Sequence, residues 1–136
     1  MAQRAWLDAN AAIALMEGPA NALHDQAVGV FRRVAEGDLE VILTAPVMVE
    51  LAWYLERRLR WSRTRSARRL AQLLASDGIV TFDRALAGSV DLYRRHPRLD
   101  YVDAYLSACA LAIGPTSVVS FDRDLDRVDG VTRIGS

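Results

Sequence analysis

The sequence predicts an α/β protein with a mostly parallel sheet, in which helices outweigh strands. Short apolar runs alternate along the chain with longer amphipathic segments, as in repeated strand–helix units. Pairs such as Gly37-Asp38 and His96-Pro97 separate these segments, because neither pair favours the continuation of a helix. The 136 residues are 51% hydrophobic and 25% charged, which is typical of one globular domain. We therefore expect residues 1–136 to form a single domain.

Five strands are predicted. The first apolar run ends at Asp8, and the second contains Val41, Ile42 and Leu43, a run typical of a buried strand. The predicted strands are residues 5–7, 40–44, 79–82, 117–121 and 131–134. Their alternation with helices favours a mostly parallel sheet, since parallel strands need long crossover connections and the helices supply them.

Six helices are predicted in the intervals. Pro46 suits the first turn of its helix, because the N–H that proline lacks has no intrahelical partner at that position. Gly78 and Gly114 follow the ends of two other helices, where glycine is common. The predicted helices are residues 11–16, 23–34, 46–59, 63–75, 84–95 and 100–113.

The basic residues exclude several classes of enzyme. All 17 are arginine, the chain has no lysine, and 17 acidic residues bring the net charge to zero. A Walker A loop and Schiff-base catalysis each require a lysine, so both are excluded. A small α/β phosphotransfer domain, which needs a lysine beside the phosphoryl group, is disfavoured for the same reason.

Cysteine usage and hydropathy indicate the compartment. Cys109 is the only cysteine, so an internal disulfide is impossible, and we expect it in the core. Asp8 and Glu17 interrupt the apolar residues near the N terminus, which argues against a signal peptide. No uncharged apolar stretch approaches about 18 residues, so we expect a soluble, cytoplasmic protein without membrane contact.

Four carboxylates stand where strands end or helices begin. Asp8 follows the first strand and Asp122 the fourth, and the carboxyl ends of parallel strands meet at one edge of a sheet. Glu50 and Asp103 lie in the early turns of two helices whose N termini approach that edge. Helix capping is the alternative for Asp8 and Asp122, and Asp103 also suits the first turn behind Asp100 as N-cap.

Glu50 is harder to assign to a structural role. Apolar residues surround it on every face of the predicted helix, so we expect that helix in the core or in a dimer interface, with Trp53 and Leu55 buried. An unpaired glutamate in such a place costs several kcal/mol, roughly, and so requires an arginine or a metal ion. Crowded oxygen ligands without histidine or thiolate favour Mg²⁺ or Mn²⁺.

Four short motifs that contain these acids resemble those of a known family. They are residues 6–10 (WLDAN), 49–51 (VEL), 101–104 (YVDA) and 120–125 (SFDRDL). In order and spacing they resemble a PIN-domain ribonuclease, specifically a VapC-type toxin of a toxin–antitoxin pair. The resemblance implies a three-layer α/β/α fold around a central, mostly parallel sheet.

The resemblance also implies an activity and a site. It implies a Mg²⁺- or Mn²⁺-dependent endoribonuclease that hydrolyses RNA with a metal-activated water. The catalytic and metal-binding quartet falls on Asp8, Glu50, Asp103 and Asp122. Auxiliary positions are Asp124, Asn10 and Ser120, whereas Ala9 replaces a hydroxyl residue that the family often has after its first aspartate.

Partners follow from the same resemblance. It implies a homodimer that a VapB-type antitoxin neutralises through a tail in the active-site groove. The alternative is a catalytically silent PIN-like module that only binds protein or nucleic acid. Retention of all the acids argues against that alternative, because a silent domain has no use for uncompensated charge.

A basic segment follows the helix that carries Glu50. It contains seven arginines within thirteen residues, and Trp61 lies among them. The arginines are suited to hold RNA phosphates, with Trp61 as a stacking face for a base. They are also typical of a solvated helix surface or of a surface that binds an acidic antitoxin, and the sequence does not decide among the three. The arginines are Arg57, Arg58, Arg60, Arg63, Arg65, Arg68 and Arg69.

Overall fold

Within the residues that the structure describes, all five strands pair in parallel. The computed structural model describes residues 2–135, and β1 pairs with β2 and β2 with β3, while β4 pairs with β5. The strands are β1 (Gln3–Trp6), β2 (Leu39–Ile42), β3 (Ile79–Val80), β4 (Ser117–Val119) and β5 (Thr132–Ile134). The α/β class and the parallel pairing predicted from the sequence are thus confirmed, and the pairing falls into two groups that the sequence pattern does not reveal.

Six α-helices connect and cover these strands within residues 2–135. They are α1 (Ala9–Glu17), α2 (His24–Ala35), α3 (Ala45–Trp53), α4 (Arg63–Ala75), α5 (Leu86–Arg95) and α6 (Tyr101–Ala112). Pro46 lies in the first turn of α3, as its chemistry predicts. The predicted helix 46–59 divides at Trp53, beyond which residues Tyr54–Arg58 form a π-helical turn.

The third strand is shorter than predicted, because a turn replaces its last residues. The Thr81 hydroxyl accepts a hydrogen bond from the Asp83 N–H at 3.1 Å, and the Asp83 carboxylate accepts one from the Ala85 N–H at 2.9 Å. These local bonds compete with strand pairing, and α5 consequently starts at Leu86.

The core forms between the strands and all six of these helices, with Ala12 of α1 and Val34 of α2 among its buried residues. Helix α5 packs along both α6 and α4, and α3 packs against α6. Each fully buried leucine contributes about 2 kcal/mol, which fixes the helices that carry the candidate site. The largest fully buried apolar side chains are Tyr93, Leu43, Met48, Leu51, Leu55, Leu70, Leu86, Leu99 and Leu125.

Helix α3 is buried on one side only. Met48 and Leu51 face the core and Leu55 is buried as predicted, but Trp53 remains 55% exposed, so the prediction that it is buried is wrong. The α-helix ends at Trp53, and the indole of Trp53 lines an open groove instead of the core. Among residues 2–135, no helix is both long enough and apolar enough to span a bilayer.

Arg63 ties the start of α4 to the end of α5. Its guanidinium donates to the Glu56 carboxylate at 3.1 Å and to the carbonyl oxygens of Tyr93 and His96 at 2.9 Å each. The same group lies 3.9 Å from the centre of the Tyr93 ring. With its side chain only 16% exposed, Arg63 is committed to contacts within the chain.

We expect Arg63→Ala to lower the free energy of unfolding by about 2–3 kcal/mol, because it leaves Glu56 and two carbonyl oxygens without their donor. Arg68→Ala is the matched control, since Arg68 is exposed on the same helix, and should change stability by less than about 0.5 kcal/mol. Urea unfolding measures both. Equal, small effects would show that the internal contacts of Arg63 do not support the fold.

Candidate active site

Asp103 and Asp122 bring two carboxyl groups together beside the first turn of α6. Partial burial, then the charges of Asp100 and Asp122 and a hydrogen bond with the Asp122 carboxyl, raise the pKa of Asp103 to about 6. Asp100 is the N-cap of the helix, and its carboxylate accepts a hydrogen bond from the Asp103 N–H at 2.8 Å. Asp100, for which the sequence indicated only capping, therefore adds charge to the acidic cluster.

The loop after β4 holds Asp122 in place. The Asp122 carboxylate accepts a hydrogen bond from the Asp124 N–H at 2.9 Å and caps a 3₁₀ turn at Arg123–Arg127. The Asp122 N–H in turn donates to the Ser120 hydroxyl at 3.1 Å. Ser120 and Asp122 thus hold this loop by capping bonds of their own, and Asp122 lies close enough to raise the pKa of Asp103.

Asp8 and Glu50 are both exposed. Asp8 occupies the N-cap position of α1, yet its carboxylate makes no capping hydrogen bond. Neither acid has an ion-pair partner within residues 2–135. The expectation that Glu50 is buried, and therefore requires a cation, is wrong, because only the opposite side of α3 faces the core.

The quartet is brought together only in part. Asp8 and Asp122 follow strands of different sheets, so no hydrogen-bonded ladder aligns the two strand ends. In the part of the chain that the structure describes, no three side chains of the types His, Cys, Asp and Glu form a group that could hold a metal ion. The pair that meets is Asp103 and Asp122.

A comparison with known families decides which fold this is. The PIN domain family model matches residues 5–131. The chain belongs to the PIN domain family. No curated protein and no solved structure matches it. The α/β fold of this PIN domain is therefore of a nuclease-like type.

The acids of this PIN domain have the chemistry that Mg²⁺ or Mn²⁺ requires. Carboxylate oxygens are the preferred ligands of both ions. The pKa of Asp103 is raised by partial burial and by the charges of Asp100 and Asp122, and a divalent cation would stabilise its ionised form because it replaces repulsion with attraction. The donor set at Asp103 and Asp122 fits such an ion, and Asp8 and Glu50 are exposed acids not engaged elsewhere.

One acid at a strand end was not predicted. Asp83 follows β3 and accepts a hydrogen bond from the Tyr105 hydroxyl at 2.5 Å, which raises the pKa of that tyrosine. Its position after a strand, like that of Asp8, was a visible clue. Its partner lies 22 residues away on α6, and sequence spacing does not reveal that contact.

The raised pKa of Asp103 makes the free energy of unfolding depend on pH. The folded chain releases this proton at about pH 6 and the unfolded chain near 3.8, so protonation stabilises the fold. That contribution is present below about pH 4 and is lost as pH rises through 6.

In the absence of metal, we therefore expect the difference in free energy of unfolding between Asp103→Asn and the unmodified chain to grow in favour of the variant from about pH 4 to pH 7. The expected growth is about 1 kcal/mol, because solvent screens this partly exposed group. Urea unfolding at both pH values measures the gain. Asp77→Asn removes one exposed carboxylate elsewhere and is the matched control. A difference that stays constant across this range would contradict the raised pKa.

Proposed function

We propose that this PIN domain is a Mg²⁺- or Mn²⁺-dependent endoribonuclease. The observation that carries the proposal is the proximity of Asp103 and Asp122 at the start of α6, where the pKa of Asp103 is raised to about 6. A fold of nuclease type accounts for such a pair, because unpaired like charges otherwise only destabilise the chain.

In this proposal the acidic residues bind the metal ion that activates the attacking water. When bound, the divalent ion would supply a water of lowered pKa and positive charge opposite the scissile phosphate. Asp103 and Asp122 would hold the ion, with Asp8 and Glu50 as further ligands. The N terminus of α6 adds its positive dipole end to the phosphate side.

The auxiliary residues orient this set. Ser120 accepts the Asp122 N–H and so fixes the loop that presents that carboxylate. Asp124, which is half-buried, donates its N–H to Asp122, and its carboxylate lies 4.0 Å from the Arg127 guanidinium. Asn10 is exposed in the first turn of α1, close in sequence to Asp8.

The biological role we propose is that of a VapC-type toxin. The support is the order and spacing of the four motifs, which resemble those of such toxins. We expect a homodimer and a VapB-type antitoxin as its partners. Val119 and Phe121, each 77% exposed beside Asp122, offer apolar surface for such contacts.

A catalytically silent module is the second candidate. It is favoured by one observation, the lack of a ready group of three metal-ligating side chains within residues 2–135. The two candidates differ in whether a divalent ion turns on RNA cleavage.

We expect purified protein to cleave single-stranded RNA with Mg²⁺ or Mn²⁺ and to stop when EDTA is added. Asp8→Asn and Asp103→Asn should each lower cleavage by at least about 100-fold, since even indirect support of a metal is worth about 10- to 100-fold. Asp77→Asn should leave cleavage unchanged. Gel analysis of a labelled RNA measures all of these.

Cleavage that continues undiminished in chelator would contradict the metal-dependent mechanism. A folded protein that cleaves no RNA with either ion would instead support the silent module.

A further inference from the structure

An open groove runs from the end of α3 to the first turn of α6. Its volume is about 510 Å³, the size of a small-molecule site. The π-helical turn and the connection between α5 and α6 form its walls, and Asp100 and Val102 line the end that borders Asp103. The groove thus leads away from the acidic cluster at which we place the metal.

Two tryptophans line this groove. Trp53 is 55% exposed although it ends a helix whose other large apolar residues are buried, so the core does not explain its position. Trp61 is half-buried, and the Arg65 guanidinium lies 3.8 Å from the centre of its ring. Exposed indoles next to guanidinium groups are the arrangement that stacks on nucleobases.

The backbone fixes Trp61 in the groove wall. Arg60 adopts a φ of 59°, a left-handed conformation that costs a residue with a side chain about 1 kcal/mol. The Trp61 N–H donates to the Leu55 carbonyl at 3.0 Å and closes the π-helical turn. This pre-organisation lowers the entropy lost when a ligand binds against the ring.

Arginines supply positive charge along the same groove. Arg57 and Arg98 line it, both are exposed, and neither has an ion-pair partner within residues 2–135. Arg98 also lines a second, smaller cavity of about 160 Å³, together with Arg127 and Asp124. Arg98 therefore links the groove to the loop that carries Asp122, where the Arg127 guanidinium lies 4.0 Å from the Asp124 carboxylate.

We infer that this groove is a subsite for an unpaired nucleotide of single-stranded RNA, next to the scissile phosphate. A base stacks on Trp53 and Trp61, and the adjoining phosphates contact Arg57 and Arg98. Aromatic and cationic side chains in one groove suit a ligand that carries both bases and phosphates, whereas an acidic peptide has no bases to stack. The inference rests on the proposed ribonuclease function and adds the surface that holds the RNA beside the cleavage site.

The test is binding without cleavage. In EDTA, fluorescence anisotropy with a labelled 12-nucleotide single-stranded RNA of mixed sequence gives Kd for the intact chain and for Trp53→Leu. We expect the substitution to weaken binding by about tenfold or more, because one stacked base is lost. Trp53→Phe, which keeps an aromatic face, should lose less, and a fully paired RNA duplex should bind the intact chain and Trp53→Leu equally.

Matched controls separate stacking from charge. Trp6→Leu changes a tryptophan that is 69% exposed but lines a different cavity, and it should leave Kd unchanged. Arg98→Ala should reduce the slope of log affinity against log salt by about 0.7, whereas Trp53→Leu should not change the slope. Circular dichroism confirms that each variant is folded.

The failures of the two proposals are distinguishable. An unchanged Kd for Trp53→Leu and Arg98→Ala, or no measurable binding by the intact chain, overturns the RNA subsite and favours a protein partner on this surface. If the intact chain binds as expected and yet never cleaves with Mg²⁺ or Mn²⁺, the subsite stands and the nuclease function fails.

Discussion

The arrangement of the site depends on like charges held close together at the first turn of α6. Asp100 caps this helix, so its carboxylate is fixed, and Asp103 lies one turn along with Asp122 beside it. Tyr101 and Ala104 on the same turn are buried, and the packing of α6 against α5 and α3 prevents the helix from moving to relieve the repulsion. The chain therefore maintains a strained electrostatic arrangement that a divalent cation would stabilise.

Positive charge and aromatic surface lie on one side of this acidic cluster. The arginines of the basic segment differ in their availability to a ligand. Arg63 is bound to Glu56 and to two carbonyl oxygens, whereas Arg57 is exposed at the groove. A polyanion that approaches the acids is attracted by the arginines before it meets the carboxylates. The π-helical turn lies between α3, which carries Glu50, and the arginine-rich α4.

Much of this was predictable from the sequence, and the remainder depended on long-range contacts. The pattern predicted the α/β class, the parallel pairing and the position of Pro46 in α3, because local chemistry determines all three. The prediction that Trp53 is buried failed because hydrophobicity all around a helix does not reveal which side meets a groove. The hydrogen bonds from Arg63 to the Tyr93 and His96 carbonyls and the Asp83–Tyr105 bond join residues more than 20 positions apart, which periodicity does not detect. The meeting of Asp103 with Asp122 likewise could only be expected from strand-end geometry.

The most direct test is a carbon-13 NMR titration of the Asp103 carboxyl, first without metal and then with Mg²⁺. We expect a midpoint at about pH 6 in the metal-free chain. With Mg²⁺ the midpoint should fall, because a bound cation favours the ionised carboxylate. A midpoint near the ordinary 3.8 that Mg²⁺ leaves unchanged would contradict both the crowding of the carboxylates and their proposed role as metal ligands.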